Sequence, residues 1–147
     1  MKTVYIVHPP SFLGARVPQG FARVSSTYYF TLDLPRDASK PLKWVSITEK
    51  TGLEDIKVEL KETQAFLSGK SKQEIPMEQM TVEQHSRTVS VTFATPITPG
   101  QTVTVALLSV HNPDQDGIYL FGITALTQGE KAHGQFLGFG RLHFYRK

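Results

Sequence analysis

Apolar and polar residues alternate with a period of two through most of this chain, and this pattern limits the fold more than any other feature. The clearest case is segment 26–34, STYYFTLDL. Its predicted buried face consists of Tyr28, Phe30, Leu32 and Leu34. Alternation of this kind predicts a strand with one face in a core. Six further runs rich in β-branched and aromatic residues are also predicted strands: 42–48, 55–61, 87–94, 101–110, 117–126 and 140–145.

Turn-forming residues separate these runs at intervals of about ten residues, the spacing typical of sandwiches and barrels. The prediction is an all-β fold, an immunoglobulin-like antiparallel β-sandwich of about seven to nine strands with little or no helix. A short helical turn is allowed near Leu53 or around Pro76–Met80. Residues 1–147 form one predicted domain, in which residues 1–20 are an extended N-terminal segment.

The composition excludes several classes of protein. The net charge is only +3 and the basic residues are scattered, so no nucleic-acid partner is expected. The chain has no cysteine, which rules out disulfides and thiolate metal sites. No apolar run reaches the ~18–20 residues of a membrane span. The opening MKTVYIVHPPSFLGA is a poor signal peptide as it stands. Two alternatives stay open: a cytosolic protein, or an exported one whose signal was removed before residue 1.

The segment HNPDQDG, residues 111–117, is the first candidate site. Asn112, Asp114 and Asp116 stand at alternate positions before a glycine, as at the start of a calcium loop. The twelfth position is Ile123, which cannot supply the bidentate carboxylate, so an EF-hand is excluded. Two interpretations remain: a turn at a hairpin tip or between packed strands, and a weaker calcium site completed by backbone carbonyls and Glu130 from a neighbouring loop.

Histidines are the second candidate site, because copper and zinc favour imidazole ligands. None of the five histidines has a close metal-ligand spacing to another. His111, His133 and His143 lie near strand ends or in the last strand, so a sandwich could bring them together. Met77 and Met80 suit Cu(I), although such a pair is far more often explained by packing in the core or at the surface.

Catalysis has little support in the sequence. No serine lies in a GxSxG elbow, and GQFLGFG precedes a strand and not a helix that could hold an anion. Glu54 and Asp55 are expected to be surface charges. The prediction is therefore a protein that is not an enzyme and carries no cofactor, other than the Ca or Cu ion that the two candidate sites would hold.

Apolar residues are unusually frequent in the predicted loop AHGQFLGFG, residues 132–140. Phe136, Leu137 and Phe139 either cap the open end of the sandwich or form a contact patch for a partner. Capping is the expected role. The contact patch is the candidate partner-binding site.

Long segments in the same order resemble the cyanobacterial domain of unknown function DUF2808. They are TYYFTLDLP (27–35), PLKWVSIT (41–48), ETQAF (62–66), RTVSVTF…PITPGQTVTV (87–105), NP…DGIYLFGITA (112–125) and GQFLGFGRLHFY (134–145). The resemblance implies a periplasmic or secreted protein whose signal peptide has been removed. It transfers no catalytic residue. Its signature is expected to be structural and falls on Asn112, Pro113, Gly117, Tyr119, Leu120, Phe121 and Gly122.

The leading functional hypothesis is an exported, non-enzymatic binding or structural module of the cell envelope or extracellular space. Its partner would be an envelope protein or an extracellular polymer, contacted through loops 132–140 and 111–117. The alternative is a periplasmic β-sandwich that binds copper or calcium. The sequence pattern PG-x-TVTV…DG in the second half loosely resembles that of periplasmic copper-binding sandwiches. This is a likeness of fold only.

Overall fold

A computed structural model describes residues 8–38, 40–51, 54–68, 73–128 and 134–146. Ten strands and one 3-10 turn lie in these residues. The strands are β1 (Ser11–Arg16), β2 (Thr27–Leu34), β3 (Leu42–Thr51), β4 (Gln64–Leu67), β5 (Gln73–Glu74), β6 (Met77–Glu83), β7 (Thr88–Ile97), β8 (Gln101–Leu108), β9 (Gly117–Thr127) and β10 (Gln135–Phe144), and the turn is Leu60–Glu62.

The strands form two five-stranded sheets. Sheet A has the order β1-β2-β8-β4-β5 and sheet B the order β10-β9-β3-β7-β6. Every ladder within the sheets is antiparallel. The predicted immunoglobulin-like antiparallel sandwich is confirmed, with ten strands in place of the seven to nine expected. Among the described residues, no helix has the length and apolar character that a bilayer crossing requires.

The core lies between the inward faces of the two sheets. All four residues of the predicted β2 face are buried, and they oppose the inward residues of β3 and β9 such as Val45, Ile47 and Ile123. Each large apolar side chain removed from water in this way contributes about 1.5–3 kcal/mol. The alternation in the sequence therefore identifies the correct inward face of these strands.

The strands β1 and β10 close one side of the sandwich by packing against each other. A Cβ atom built on Gly140 of β10 would lie 2.9 Å from Ala15 Cβ and 2.9 Å from Phe12 Cζ. Such contacts are closer than van der Waals packing allows, so only glycine at this position lets the two edge strands approach.

Three local predictions are wrong. Residues 55–61 do not form a strand: Val58 makes a single bridge to Ser109, and the chain then enters the 3-10 turn. Residues Pro76–Met80 hold no helical turn, because β6 begins at Met77. The predicted loop at 132–140 is largely the first half of β10, which begins at Gln135. The alternative turn near Leu53 lies outside the described residues.

Candidate functional site

The HNPDQDG segment connects the two sheets. Strand β8 before it belongs to sheet A and strand β9 after it belongs to sheet B. The turn at a hairpin tip is therefore wrong. The segment is instead a turn between packed strands, the second form that the sequence allowed. Its geometry is set by packing between the sheets.

Asn112 is the centre of this connection and is completely buried. Its amide nitrogen donates to the carbonyl oxygens of Gln19 at 2.8 Å and Phe21 at 2.7 Å. Its amide oxygen accepts from the Tyr28 hydroxyl at 2.8 Å and lies 3.5 Å from the Ser109 hydroxyl. Because all of this hydrogen-bonding capacity is used within the protein, Asn112 has a structural role and is not placed as a calcium ligand.

Backbone hydrogen bonds reinforce the same attachment. The Asn112 amide donates to the Val24 carbonyl at 2.7 Å, and the Arg23 amide donates to the Asn112 carbonyl at 3.2 Å. Burial raises the pKa of the Tyr28 hydroxyl far above its ordinary value, so this group remains a neutral donor to the amide oxygen. Residues 19–24 are thus attached to the sandwich by a buried polar network.

Asp114 and Asp116 lie at the surface of the connection. The Asp114 carboxylate accepts a hydrogen bond from Arg23 Nε at 3.1 Å, and Asp116 is exposed. The Gln115 backbone amide donates to Glu54 Oε1 at 2.6 Å. Within the described part of the chain, no three His, Asp or Glu side chains come close enough together to hold a metal ion.

The three candidate histidines are not all placed. His111 Nδ1 is 2.8 Å from the carbonyl oxygen of Asn112, and the His143 ring contacts Tyr145 with centroids 5.8 Å apart. His133 lies outside the described residues, as does Glu130. The histidine metal site therefore stays a prediction.

Phe136 and Phe139 form an exposed pair on the outer face of sheet B, so capping is wrong for both. Their side chains are 51% and 52% exposed, and their ring centroids are 5.1 Å apart. Only Leu137 packs against the core. The two loops of the functional hypothesis also do not form one surface, because they adjoin opposite ends of β9.

A β-bulge is the reason that both phenylalanines face outward. Residues three apart in a regular strand face opposite sides of a sheet. Here the register shifts between Phe136 and Gly138, so Phe136 pairs with Thr124 and Phe139 pairs with Gly122, two residues on one face of β9. The bulge turns Leu137 inward and leaves the two rings together outside.

Lys50 adjoins this aromatic pair. A Cβ atom built on Gly122 would lie 3.3 Å from Lys50 Cε and 3.3 Å from Phe136 Cε1. The lysine side chain and the ring therefore meet over the glycine, on the outer face. Lys50 itself is exposed and is an extra residue at a register shift of β3, between Glu49 and Thr51.

Trp44 forms a shallow depression further along the same face. Its lining comprises Lys43, Trp44, Glu78, Gln79, Thr92, Leu126 and Gly134. Trp44 pairs with Leu126 on β9 and with Thr92 on β7. Hydroxyl side chains such as Ser46 and Thr124 lie between the depression and the phenylalanine pair. The outer face of sheet B thus combines rings, hydroxyls and cations.

A buried glutamate at the inner side of β3 is a feature that sequence reasoning missed. Glu49 accepts a hydrogen bond from the Ile56 amide at 2.9 Å and one from Arg87 Nη1 at 3.2 Å. Burial raises the pKa of Glu49, although the Ile56 amide and the Arg87 guanidinium both act in the opposite direction. The signal was available, because Glu49 follows Val45 and Ile47 at the inward positions of β3.

An apolar groove lies beside this glutamate. It is lined by Asp55, Ile56, Lys57, Val58, Val82, Gln84, Arg87, Val89 and Val110. A hydrolase would need a histidine and a carboxylate together in such a cleft. The lining in the described part of the chain includes the Asp55 carboxylate but no histidine.

The chain is similar in sequence to one protein family. The sequence model of DUF2808, described as a protein of unknown function, matches residues 3–144. No curated protein matches the chain.

Solved structures with the same fold have low sequence identity to the chain. The collagen adhesin CNA from S. aureus has a TM-score of 0.54 and 9% identity, over 90% of this chain and 48% of that chain. The N-terminal domain of the Streptococcus gordonii adhesin Sgo0707 has a TM-score of 0.54 and 13% identity, over 93% of this chain and 32% of that chain. BslA, a bacterial hydrophobin, has a TM-score of 0.54 and 13% identity, over 97% of this chain and 98% of that chain. The chain spans about half of the collagen adhesin structure. These likenesses show the fold.

Proposed function

Because the chain belongs to the DUF2808 family, whose function is unknown, we propose from its surface that it is an exported, non-enzymatic binding module of the cell envelope or extracellular space. Its contact surface is the outer face of sheet B, and its partner is an envelope protein or an extracellular polymer. Periplasmic or secreted location is part of the proposal. Adhesin domains of similar fold support it in general terms.

The observation that carries the proposal is the bulge that holds Phe136 and Phe139 outward. Large apolar side chains on a sheet exterior gain nothing from the core, and aromatic residues are enriched where proteins contact partners. A regular strand would have placed one ring of this pair inward. The bulged geometry places both at the surface, next to an exposed lysine.

The test is binding of the purified, fluorescently labelled chain to washed envelope and extracellular-matrix material from the producing organism. We expect saturable binding, and a loss of roughly tenfold or more in affinity for the double variant F136S/F139S, as for removal of central anchors. The matched control is L13S/V110S, which changes two other exposed apolar residues, one in β1 and one in the connection after β8. Equal losses in both double variants, or no saturable binding, would contradict the proposal.

A further inference from the structure

We propose that the outer face of sheet B binds an acidic polysaccharide that carries carboxylate groups on its sugar rings. This deepens the proposed function and rests on it, because it names the class of partner for the same surface. The residues that carry the inference are Lys50, Phe136, Phe139 and Arg141, here called the aromatic–basic patch, together with Trp44 and Lys43 at the neighbouring depression.

The strands β3, β9 and β10 carry exposed charges of one sign, whereas Glu78 of β6 also lines the depression. Lys43, Lys50 and Arg141 are exposed. The only carboxylate in β3, β9 and β10 is Glu49, which is buried and bonded to Arg87 on the inner side. Three exposed cations with no exposed carboxylate on these three strands favour an anionic ligand.

The aromatic rings give the face a second property, which a simple anion site would not need. The carbon-bound hydrogens on one side of a sugar ring are weakly positive and pack well on the negative face of an aromatic ring. Phe136 and Phe139 offer two adjoining rings, with centroids 5.1 Å apart. From strand spacings, the Cα atoms of Trp44 and Phe136 are about 12 Å apart. An extended polymer can contact both places, whereas a single small anion cannot.

The position of Lys50 connects the two properties. Its Cε and the Phe136 ring approach the same point above Gly122. A sugar ring stacked on Phe136 would thus place a ring carboxylate within reach of the Lys50 ammonium group. Arg141 lies on the same outer face as the two phenylalanines. It pairs with Leu120, which is two residues from Gly122 on β9, the partner of Phe139. Its planar guanidinium suits a bidentate contact with a carboxylate.

Hydroxyl groups complete the match to a sugar polymer. Ser46 and Thr124 lie between the patch and the depression, and Gln79 and Thr92 line the depression. Ser46 is buried. Within the described residues, the side chains of Gln79, Thr92 and Thr124 form no hydrogen bond to another protein group and are exposed or partly exposed, so these three can bond a sugar hydroxyl. A lipid surface would instead favour an uninterrupted apolar face.

The test is direct binding of the full chain to soluble polygalacturonate, measured by titration calorimetry at about 50 and about 200 mM salt. Dextran is the neutral comparison polymer. We expect binding to polygalacturonate that weakens with salt, and little binding to dextran. K50Q/R141Q and F136A/F139A should each reduce the affinity by roughly tenfold or more, equivalent to about 1.4 kcal/mol.

The matched control is R16Q. Arg16 is also an exposed arginine against an aromatic ring, 4.2 Å from the Tyr29 ring centroid, but it lies on sheet A. The variant should retain binding within about twofold if the patch on sheet B is the site. Circular dichroism of each variant confirms that it is folded. The single variants K50Q and R141Q each remove one charge, as R16Q does; a loss in R16Q equal to that in either of them would show attraction by net charge alone and would overturn the inference.

The two proposals fail in different ways. Envelope binding that depends on Phe136 and Phe139, without binding to polygalacturonate, overturns the polysaccharide inference and leaves the binding module in place. Equal binding to dextran, or patch-dependent binding only to anionic lipid vesicles or DNA, also overturns the inference. Absence of both envelope and polygalacturonate binding overturns both proposals.

Discussion

Asn112 shows at the scale of a single residue how a sequence motif can be recognised and its role misread. Its position before two alternate aspartates suggests an ion loop, but its amide joins the N-terminal segment, β2 and the connection between the sheets. A fully buried and fully hydrogen-bonded amide stabilises the fold, because removing it leaves several buried partners without a hydrogen bond.

Replacing Asn112 with alanine should therefore destabilise the fold by about 2–4 kcal/mol, since two carbonyl oxygens and the Tyr28 hydroxyl lose their partner. Urea unfolding measures the change. The control is D116A in the same connection, where the exposed side chain makes no hydrogen bond among the described residues; it should change stability by less than about 0.5 kcal/mol. Similar losses in both variants would contradict the structural role of Asn112.

Glu49 predicts a pH dependence. Its pKa is raised in the folded state by burial, so folding favours its protonated form. The stability that this contributes is fully present below the unfolded pKa, near 4.5, and is lost as pH rises through the higher folded pKa. The free energy of unfolding of the protein minus that of E49Q should therefore decrease as pH rises through this window.

Urea unfolding of both proteins at several pH values gives this difference, in which the titration of other groups largely cancels. An increase in the difference with rising pH would mean that the pairing with Arg87 outweighs burial. The E49D variant, which shortens the side chain but retains the carboxyl group, tests whether the geometry at Ile56 and Arg87 matters.

At the scale of the element, β10 is an irregular strand, and its β-bulge bears directly on the proposed contact surface. Its bulge at Leu137 requires Gly138 at a φ of +137°, a conformation that side-chain-bearing residues rarely adopt. The same feature sets the direction of both phenylalanines, so the backbone and the proposed contact surface depend on one glycine.

Substituting Gly138 with alanine should cost about 1–3 kcal/mol, the usual range for residues forced into disfavoured backbone regions. No clash contributes, because a Cβ atom there meets nothing within 4 Å. We also expect weaker envelope binding, as the phenylalanine pair changes orientation. Chemical unfolding and the binding assay measure the two effects. R141A is the stability control, and an unchanged G138A would show that the bulge tolerates a side chain.

Short or largely exposed strands were the elements that the sequence identified least well. Strands β1, β4, β5 and β6 were not predicted, and each is short or largely exposed. Alternation is weak where neither face is fully buried, so the pattern contains little information there. The opposite error occurred at 55–61: Ile56, Val58 and Leu60 do pack against the core as their alternation indicates, but the chain forms one bridge and a 3-10 turn and no strand.

At the scale of the whole molecule, the metal-binding alternative can be separated from the binding-module proposal by thermal unfolding. The protein is first treated with EDTA, and Ca²⁺, Cu²⁺ or Zn²⁺ is then added. An ion at about 100 times its dissociation constant stabilises the native state by about 2.7 kcal/mol. For a domain of this size that raises the midpoint by several degrees.

The binding-module proposal expects no such rise, because its contact surface uses no metal ion. A rise with Cu²⁺ or Zn²⁺ that is lost in H143A would support the histidine site instead. A rise with Ca²⁺ that is lost in D114A would support the calcium interpretation. The R16Q variant is a control for either result, since it changes charge away from both sites.

The sequence alone determined which faces of the main strands are buried. Tyr28, Phe30, Leu32 and Leu34 are inside because a strand places every second side chain on one face, and only the apolar face gains free energy by leaving water. This local rule was sufficient to predict the all-β sandwich.

The tertiary structure alone decided which strands pair and which surface is presented. Strands β8 and β9 are neighbours in the chain but belong to different sheets, and a bulge in β10 reverses the facing of one phenylalanine. Pairing and register depend on contacts between residues far apart in sequence, and one inserted residue changes every facing beyond it. For that reason the aromatic pair was predicted from the sequence as a cap, and only the fold placed it beside Lys50 as a surface.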